Sequence, residues 1–240
     1  MSKTLTVNSS GWGAKAALAC YLLVLAGIII SSLIVIVVLF ILRVTDTASL
    51  SFPLALISIP IGETVTLIIV IFFARINHAR AVQLGLKKIS VRTAMTVITI
   101  GIILIFVVGM IANAEIAIFG PDPSAEQLNL AVLPRDFTQL IILVALNLAL
   151  VGPAEELAFR GFIQKGFENS FGKTVGLLST SVLFAVLHGL NSLYSIVPIF
   201  AVALVLGYMW QRTGGNTTAT ALMHGVFNSV QIILVYFITV

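Results

Sequence analysis

Long apolar segments follow one another along almost the whole chain, and they constrain the fold more than any other feature. A helix that spans a bilayer needs about 20 mostly apolar residues. Charged residues make up 9% of this chain, whereas soluble globular domains contain roughly 25%. The sequence therefore predicts an all-α, polytopic transmembrane helical bundle of about seven spans. The candidate spans are Ala16–Leu42, Phe52–Phe73, Ala94–Ala112, Phe137–Val151 with its continuation, Val175–Leu187, Tyr194–Trp210 and Thr217–Thr239.

The first apolar segment is too long for a secretory signal peptide, whose apolar region has about 7–15 residues, and no small-residue cleavage site follows it. We therefore expect it to remain as a span of a multi-pass protein, which suits a prokaryotic plasma membrane. Cys20 is the single cysteine, so an intrachain disulfide cannot form.

The distribution of charge predicts the orientation in the membrane. Basic residues without an acidic one lie between the second and third candidate spans, whereas the connection after the third span carries Asp122, Glu126 and Asp136. Because short basic loops remain in the cytoplasm, we expect this loop and the N-terminus to be cytoplasmic. The net charge of +4 is then explained by basic loops at the surface of the lipid bilayer, and it does not indicate a nucleic-acid partner. The basic residues of the loop are Arg75, Arg80, Lys87, Lys88 and Arg92.

A polar connection between Phe119 and Phe137 divides the chain. We predict an N-terminal three-span membrane region, residues 1–134, and a second region, residues 135–240, that holds most of the ionisable groups within spans. Gly152-Pro153 lies inside an apolar segment of the second region. Proline lacks an N–H and clashes with the preceding turn, so we expect a kinked or re-entrant segment there.

Four ionisable side chains of the second region lie inside candidate spans: Glu155, Glu156, His188 and His224. A charged residue at the centre of a membrane helix costs roughly 2.5–3.5 kcal/mol on insertion scales. Such a cost indicates that these side chains have a role. The possible roles are catalysis, transport, and polar contacts that hold helices together. The residue types and spacings favour chemistry.

The two glutamates follow Pro153 directly and fall in the first turn of the new helix, where the helix dipole favours negative charge. Glu156 and Arg160 are spaced i, i+4 and can form an ion pair on one helix face. Glu155 points about 100° away from Glu156, so it remains free to act as a base. The alternative is a helix start at the membrane interface with solvated carboxylates.

The two histidines each have a partner four residues away. Phe184 precedes His188 on the same helix face and can fix the orientation of the imidazole, although a lone histidine in an apolar helix can also be a buried hydrogen-bond donor. His224 and Asn228 project to one side of the last helix, where their donors suit a developing oxyanion. The alternative is hydrogen bonding between helices, which contributes about 0.6 kcal/mol on average.

Three short motifs together resemble those of the CAAX-protease and bacteriocin-processing (CPBP, or Abi) intramembrane proteases, a family that includes the type II CAAX prenyl endopeptidases. They occur in the family's order within roughly residues 135–240, which are thereby predicted to be the catalytic core. The motifs are Glu155-Glu156-x-x-x-Arg160, Phe184-x-x-x-His188 and His224-x-x-x-Asn228.

The resemblance implies an endopeptidase that hydrolyses peptide bonds of a membrane-associated protein or peptide substrate. Carried over by position, it implies a pair that activates water, a pair that stabilises the oxyanion, and a set that shapes the site. These are Glu155 with His188, His224 with Asn228, and Glu156, Arg160 and Phe184, respectively.

A zinc-dependent mechanism is an open alternative. Glu155, His188 and His224 can supply the ligand set of two histidines and one glutamate that a catalytic zinc uses. No HExxH motif is present, and one carboxylate would have to bind the metal while another acted as base. We therefore favour a metal-independent glutamate mechanism.

Convergence of these side chains sets a condition on the fold. If the helices cross straight, Glu155 and His224 lie toward the cytoplasmic side, whereas His188 lies about 22 Å along its helix from Lys173. Bringing them together requires tilted helices, a re-entrant segment at Pro153, or a water-filled cavity.

Two other functions remain open from the residues. The same polar groups can serve as helix locks or partner contacts in a non-enzymatic membrane immunity or scaffold protein. A proton-coupled transporter is the third class, but the sequence lacks the inverted pair of broken helices typical of such proteins. Glu63, within the second span, either lines the same cavity or a proton path, or belongs to a partly unwound segment near an interface.

Overall fold

In this computed structural model, the described residues are 11–43, 51–122, 133–190 and 192–239. Within these ranges the chain forms helices and no strand, which confirms the all-α prediction. The helices are α1 (Ala14–Ile41), α2 (Ser51–Ile76), α3 (Val91–Phe119), α4 (Phe137–Phe171), α5 (Lys173–Gly189), α6 (Ile196–Arg212) and α7 (Thr217–Thr239).

The lengths of these helices suit a membrane. Six of those in the described ranges are long and apolar enough to cross it, with α6 counted together with the turn before it as Leu193–Arg212, and α5, with 17 residues, is a shorter apolar helix. Seventeen residues lie at the lower end of the range of spanning helices, so about seven crossings agree with the prediction. Large apolar side chains such as Ile30 and Phe106 face outward, as expected for a surface in contact with lipid.

One end of the bundle, the basic end, is formed by residues 11–14, 77–90, 165–173 and 212–216. Trp12 Nε1 donates to Phe162 O at 2.7 Å, which ties the start of α1 to α4. Lys87 Nζ donates to Gly214 O at 2.6 Å, which ties the basic loop to the turn before α7. The basic segments named from the sequence therefore share one end of the molecule.

The opposite end joins the end of α3 to the turn between α5 and α6. Tyr194 Oη donates to Phe119 O at 3.2 Å, and the Ser192 hydroxyl donates to the Asp122 carboxylate. Successive helices therefore run between the two ends in alternating directions, and α4 and α7 are antiparallel.

Helix α4 continues through Gly152-Pro153 to Phe171 with two widened turns. Residues Asn147–Val151 and Leu157–Gln164 form π-helical turns on either side of the α-helical turn Gly152–Glu156. Pro153 has no N–H to donate, and π turns absorb such an interruption within a helix. The irregularity predicted at Gly152-Pro153 takes this form.

The backbones of α7 and α4 approach each other closely because glycine residues lie at the contact. A Cβ atom added to Gly152 would lie 2.8 Å from Ala221 O, and one added to Gly225 would lie 3.0 Å from Asn147 O. Small residues allow such close backbone approach between membrane helices. This contact places the polar side chains of α7 beside those of α4.

Candidate functional site

Three of the predicted site residues meet inside the bundle. Glu155 Oε2 on α4 lies 3.8 Å from His224 Nε2 on α7 and 4.0 Å from His188 Nε2 on α5. These separations are too long for direct hydrogen bonds and leave room for a bridging water molecule. Glu155 Oε2 is buried and has no hydrogen-bond partner among the described residues. The structure thus brings the three side chains together, and their catalytic roles stay predictions.

The start of α7 explains how His224 reaches Glu155. Thr217 Oγ1, in the first turn of α7, donates to Leu84 O at 2.7 Å. A Cβ atom on Gly161 would lie 2.8 Å from that same Leu84 oxygen and 3.4 Å from Thr217 Oγ1, so α7 begins level with Gly161, well inside the bundle. Going away from the basic end, His224 and Glu155 then reach the same depth on antiparallel helices, and α4 does not need to turn back.

Glu156 is the centre of a fully buried ionic network. Its Oε1 atom lies 3.0 Å from Arg160 Nη1 and accepts a hydrogen bond from His224 Nδ1 at 3.1 Å. Arg160 Nη2 also donates to Ala203 O at 3.1 Å, which connects the network to α6. The predicted ion pair between Glu156 and Arg160 is confirmed. Both side chains are almost completely buried, so either charge alone would lack compensation.

Phe184 forms the apolar wall of the site. The Arg160 Cζ atom lies 4.8 Å from the centroid of its ring, a cation–π contact. The His188 imidazole packs at a tilt against the same ring, with ring centroids 4.5 Å apart. Phe184 therefore contacts both the ionic network and His188, and its role in shaping the site stays a prediction.

The hydrogen bonds of the two histidines define which nitrogen faces Glu155. His188 Nδ1 lies 2.9 Å from Phe184 O, and His224 Nδ1 lies 3.1 Å from Glu156 Oε1. A carbonyl or carboxylate oxygen only accepts, so we assign the proton of each neutral imidazole to Nδ1. The Nε2 atom of each neutral ring then presents a lone pair toward Glu155, and a second proton on His224 turns its Nε2 atom into a donor.

Asn147 is a candidate site residue that the sequence did not bring to notice. Asn228 Nδ2 on α7 donates to Asn147 Oδ1 on α4 at 3.0 Å, and Asn147 Nδ2 donates to Leu143 O at 2.8 Å. The available signal was an amide in the apolar segment LVALNLALV, because polar residues inside spans are rare and often functional. One hydrogen of the Asn228 amide is thus used in holding α7 to α4.

Glu63 belongs to the same cluster. It lies on α2, is half-buried, and its carboxyl group is near enough to that of Glu155 for the two to interact electrostatically. Its Oε2 atom is buried without a hydrogen-bond partner among the described residues. Of the two interpretations of Glu63, the structure favours the one in which it lines the site. The N-terminal region therefore contributes a side chain to the cluster.

The described histidines and carboxylates do not form a ready metal site. No group of three or more such residues in the described ranges has a metal-holding arrangement. Ligands of a tetrahedral zinc with bonds of 2.0–2.2 Å lie about 3.3 Å apart, whereas Glu155 Oε2 lies 3.8 and 4.0 Å from the two Nε2 atoms. As placed, Glu155, His188 and His224 lie further apart than the ligands of a tetrahedral zinc, so their arrangement does not fit this metal.

A cavity of about 680 Å³ lies at the basic end, away from this cluster. Its lining includes Trp12, Lys87 and Lys165 but none of the convergent carboxylates and imidazoles. Volume alone therefore does not locate the site. The clustering of ionisable groups inside a membrane bundle is the more specific indication.

Comparison with protein families finds a match in the second half of the chain. Residues 137–230 match the family described as "Rce1-like: Type II CAAX prenyl endopeptidase Rce1-like". The matched segment contains all three motifs and lies within residues 135–240, and it confirms the family resemblance. Neither the search of curated proteins nor that of solved structures finds a match. The division of the chain at residue 134 stays a prediction.

Proposed function

We propose that this multi-pass membrane protein, whose residues 137–230 match the Rce1-like family, is an intramembrane endopeptidase whose attacking water is activated by Glu155. The observation that supports this proposal most directly is the unpartnered Glu155 Oε2 atom, which faces two imidazole nitrogens at 3.8 and 4.0 Å. A general base needs its proton donor within hydrogen-bond reach, and a water molecule between these three atoms meets that requirement.

In the proposed reaction, the water donates one hydrogen bond to Glu155 and the other to His188 Nε2. Glu155 takes a proton as the water oxygen bonds to the carbonyl carbon of the substrate. A tetrahedral oxyanion results, and its C–N bond breaks as Glu155 returns the proton to the leaving amine. Water is consumed, one peptide bond is broken, and Glu155 ends in its starting state.

The oxyanion is stabilised from α7. As an imidazolium, His224 donates from Nδ1 to Glu156 and from Nε2 toward the site, and Asn228 offers its second amide hydrogen. Donors fixed in advance of the reaction stabilise charge that develops in the transition state. The hydrogen bonds to Glu156 and Asn147 hold both donors in place.

The proposed substrates are membrane-associated proteins or peptides, and the proposed orientation has the basic end in the cytoplasm. The basic loop between α2 and α3 supports this orientation. The motif resemblance favours substrates with a prenylated cysteine near the C-terminus, whose lipid would place the scissile bonds at the membrane.

Two measurements test the proposal. Protein termini of membranes from cells that carry the native chain are compared with those from cells that carry Glu155→Gln, and purified protein in liposomes is given a farnesylated CAAX reporter peptide. We expect new termini and reporter cleavage with the native chain only. If no cleavage in either measurement depends on Glu155, the polar groups act as helix locks and the chain is not a protease of this kind.

A further inference from the structure

A groove of about 290 Å³ lies between α1 and α2, about halfway along both helices. Both helices carry outward-facing apolar residues at this level, so the groove opens toward lipid. It contains serine hydroxyl groups and one carboxyl group among apolar side chains. The lining residues that matter are Ser31, Ser32, Ser58, Gly62 and Glu63.

The serine hydroxyl groups that line the groove from α1 accept hydrogen bonds and have no hydrogen left to donate. Ser31 Oγ donates to Gly27 O at 2.7 Å, and Ser32 Oγ donates to Ile28 O at 2.9 Å. Each hydroxyl has a single hydrogen, so these oxygens present only lone pairs to the groove. Pro60, in the same stretch of α2, has no N–H for the preceding turn.

Glu63 connects the groove to the cluster of Glu155, His188 and His224. It lines the groove and lies near enough to Glu155 for the two carboxyl groups to interact electrostatically. One oxygen of each of the two carboxyl groups is buried without a donor among the described residues. A ligand that filled the groove and approached Glu155 would pass acceptors along its whole length.

A peptide segment in an extended conformation has the complementary chemistry. A peptide bond must leave a helix to be attacked, and its N–H groups then lose their helical acceptors. In lipid, each unsatisfied backbone group costs several kcal/mol, so an access path for such a segment needs acceptors. Water also donates hydrogen bonds, but a groove that opens toward lipid is placed to receive a membrane-embedded chain.

We propose that the groove between α1 and α2 is the lateral path by which an extended segment of a membrane-embedded substrate reaches Glu155. Serine oxygens and Glu63 accept hydrogen bonds from its backbone N–H groups. This inference rests on the proposed function of the site. It adds a substrate-binding element in the N-terminal region, outside the Rce1-like segment.

Gly62 offers a direct test because a Cβ atom there would meet nothing within 4 Å. Gly62→Trp would place an indole ring at the groove from a position where the added Cβ atom meets no neighbour. Gly109 on α3 has the same open surroundings and does not line the groove, so Gly109→Trp is the matched control. We expect Gly62→Trp to reduce cleavage of the farnesylated CAAX reporter in liposomes at least tenfold, while Gly109→Trp stays within twofold of the native chain. Equal activity of the two variants would overturn the inference and leave the proposed function intact.

A labelling experiment tests binding without turnover. Cys20 is fully buried, so Gly62→Cys and Gly109→Cys each introduce one accessible thiol. In the Glu155→Gln background, maleimide labelling of Gly62→Cys should slow at least threefold when the farnesylated peptide is added, and that of Gly109→Cys should not change. Labelling of Gly62→Cys at the same rate with and without peptide would overturn the path, even if the native chain cleaves the reporter.

Discussion

Glu155 Oε2 lies 3.8 Å from His224 Nε2, a separation that a water molecule can bridge and a direct hydrogen bond cannot. The two side chains come from the antiparallel helices α4 and α7. Hydrogen bonds from His224 to Glu156 and from Asn228 to Asn147 join these helices. Glu155 itself has no ion-pair partner at hydrogen-bond distance in the described part of the chain, unlike its neighbour Glu156. Adjacent glutamates on α4 therefore occupy different environments, which separates the proposed base from a structural anion.

Replacing Glu155 with glutamine should remove activity and leave the fold intact. The amide has nearly the same shape but does not take a proton from water, and general-base catalysis contributes roughly 10²–10⁴-fold. We expect a decrease of at least 100-fold in reporter cleavage, with the melting temperature in detergent within a few degrees of the native value. Retention of more than a tenth of the activity would exclude Glu155 as the base.

Replacing Glu156 or Arg160 alone should destabilise the protein. Removing one partner of a buried ion pair typically costs about 3–5 kcal/mol, whereas an apolar pair of similar volume is often tolerated. We expect Glu156→Leu and Arg160→Met each to lower the thermal stability strongly. The double variant should be more stable than the sum of the single effects indicates, which a double-mutant cycle measures. Additive losses would show that the two charges do not act as a pair.

Asn147 should matter for catalysis through Asn228. Asn147→Ala removes the acceptor that orients the Asn228 amide, so the proposed oxyanion donor is no longer held in place. We expect kcat to fall about 10-fold or more with little change in KM, since the interaction is realised in the transition state. The effects of Asn147→Ala and Asn228→Ala should overlap in the double variant. Fully additive losses in kcat would place Asn147 outside the site.

The absence of a side chain at Gly161 should determine how deep in the bundle α7 begins. A Cβ atom at this position would lie 2.8 Å from the Leu84 carbonyl oxygen, so Gly161→Ala must displace backbone. We expect a loss of about 1–3 kcal/mol from overpacking and a lower activity as His224 moves away from Glu155. Gly109→Ala, in open surroundings on α3, provides the control and should leave both quantities unchanged.

Metal chelation should not abolish activity. The distances from Glu155 Oε2 to the two imidazoles exceed those expected of shared zinc ligands, and the proposed mechanism uses the carboxylate as a base. We expect prolonged treatment with EDTA or 1,10-phenanthroline to leave cleavage of the reporter within twofold of the untreated enzyme. Loss of activity on chelation, with recovery on addition of zinc, would replace the glutamate mechanism by a metal-dependent one.

Local patterns in the sequence predicted the helices and most of the cluster. The apolar segments indicated the bundle because nothing else satisfies backbone groups in lipid. The i, i+4 spacing placed Glu156 beside Arg160 on one helix, and the structure confirms that pair. Such contacts lie within a few turns of a single helix, where geometry is fixed by 3.6 residues per turn.

Contacts between distant segments were not predictable in the same way. The hydrogen bond between Asn147 and Asn228 depends on the close approach of α4 and α7, which no local spacing encodes. The contact of Glu63 with Glu155 likewise depends on how α2 packs against α4. The expectation that straight helices would keep His224 and Glu155 apart from His188 did not allow for the deep start of α7.

The anchoring of Thr217 on the loop before α3 has a consequence for how this protein can be divided. Thr217 receives its support from the backbone at Leu84 and Gly85, and Asn216 Nδ2 donates to Lys88 O at 3.2 Å. The depth of His224 in the bundle is therefore determined by a segment of the chain more than a hundred residues earlier in the sequence. A fragment limited to the family-matched segment would contain every motif. It would still lack the loop backbone to which the start of its last helix is hydrogen-bonded.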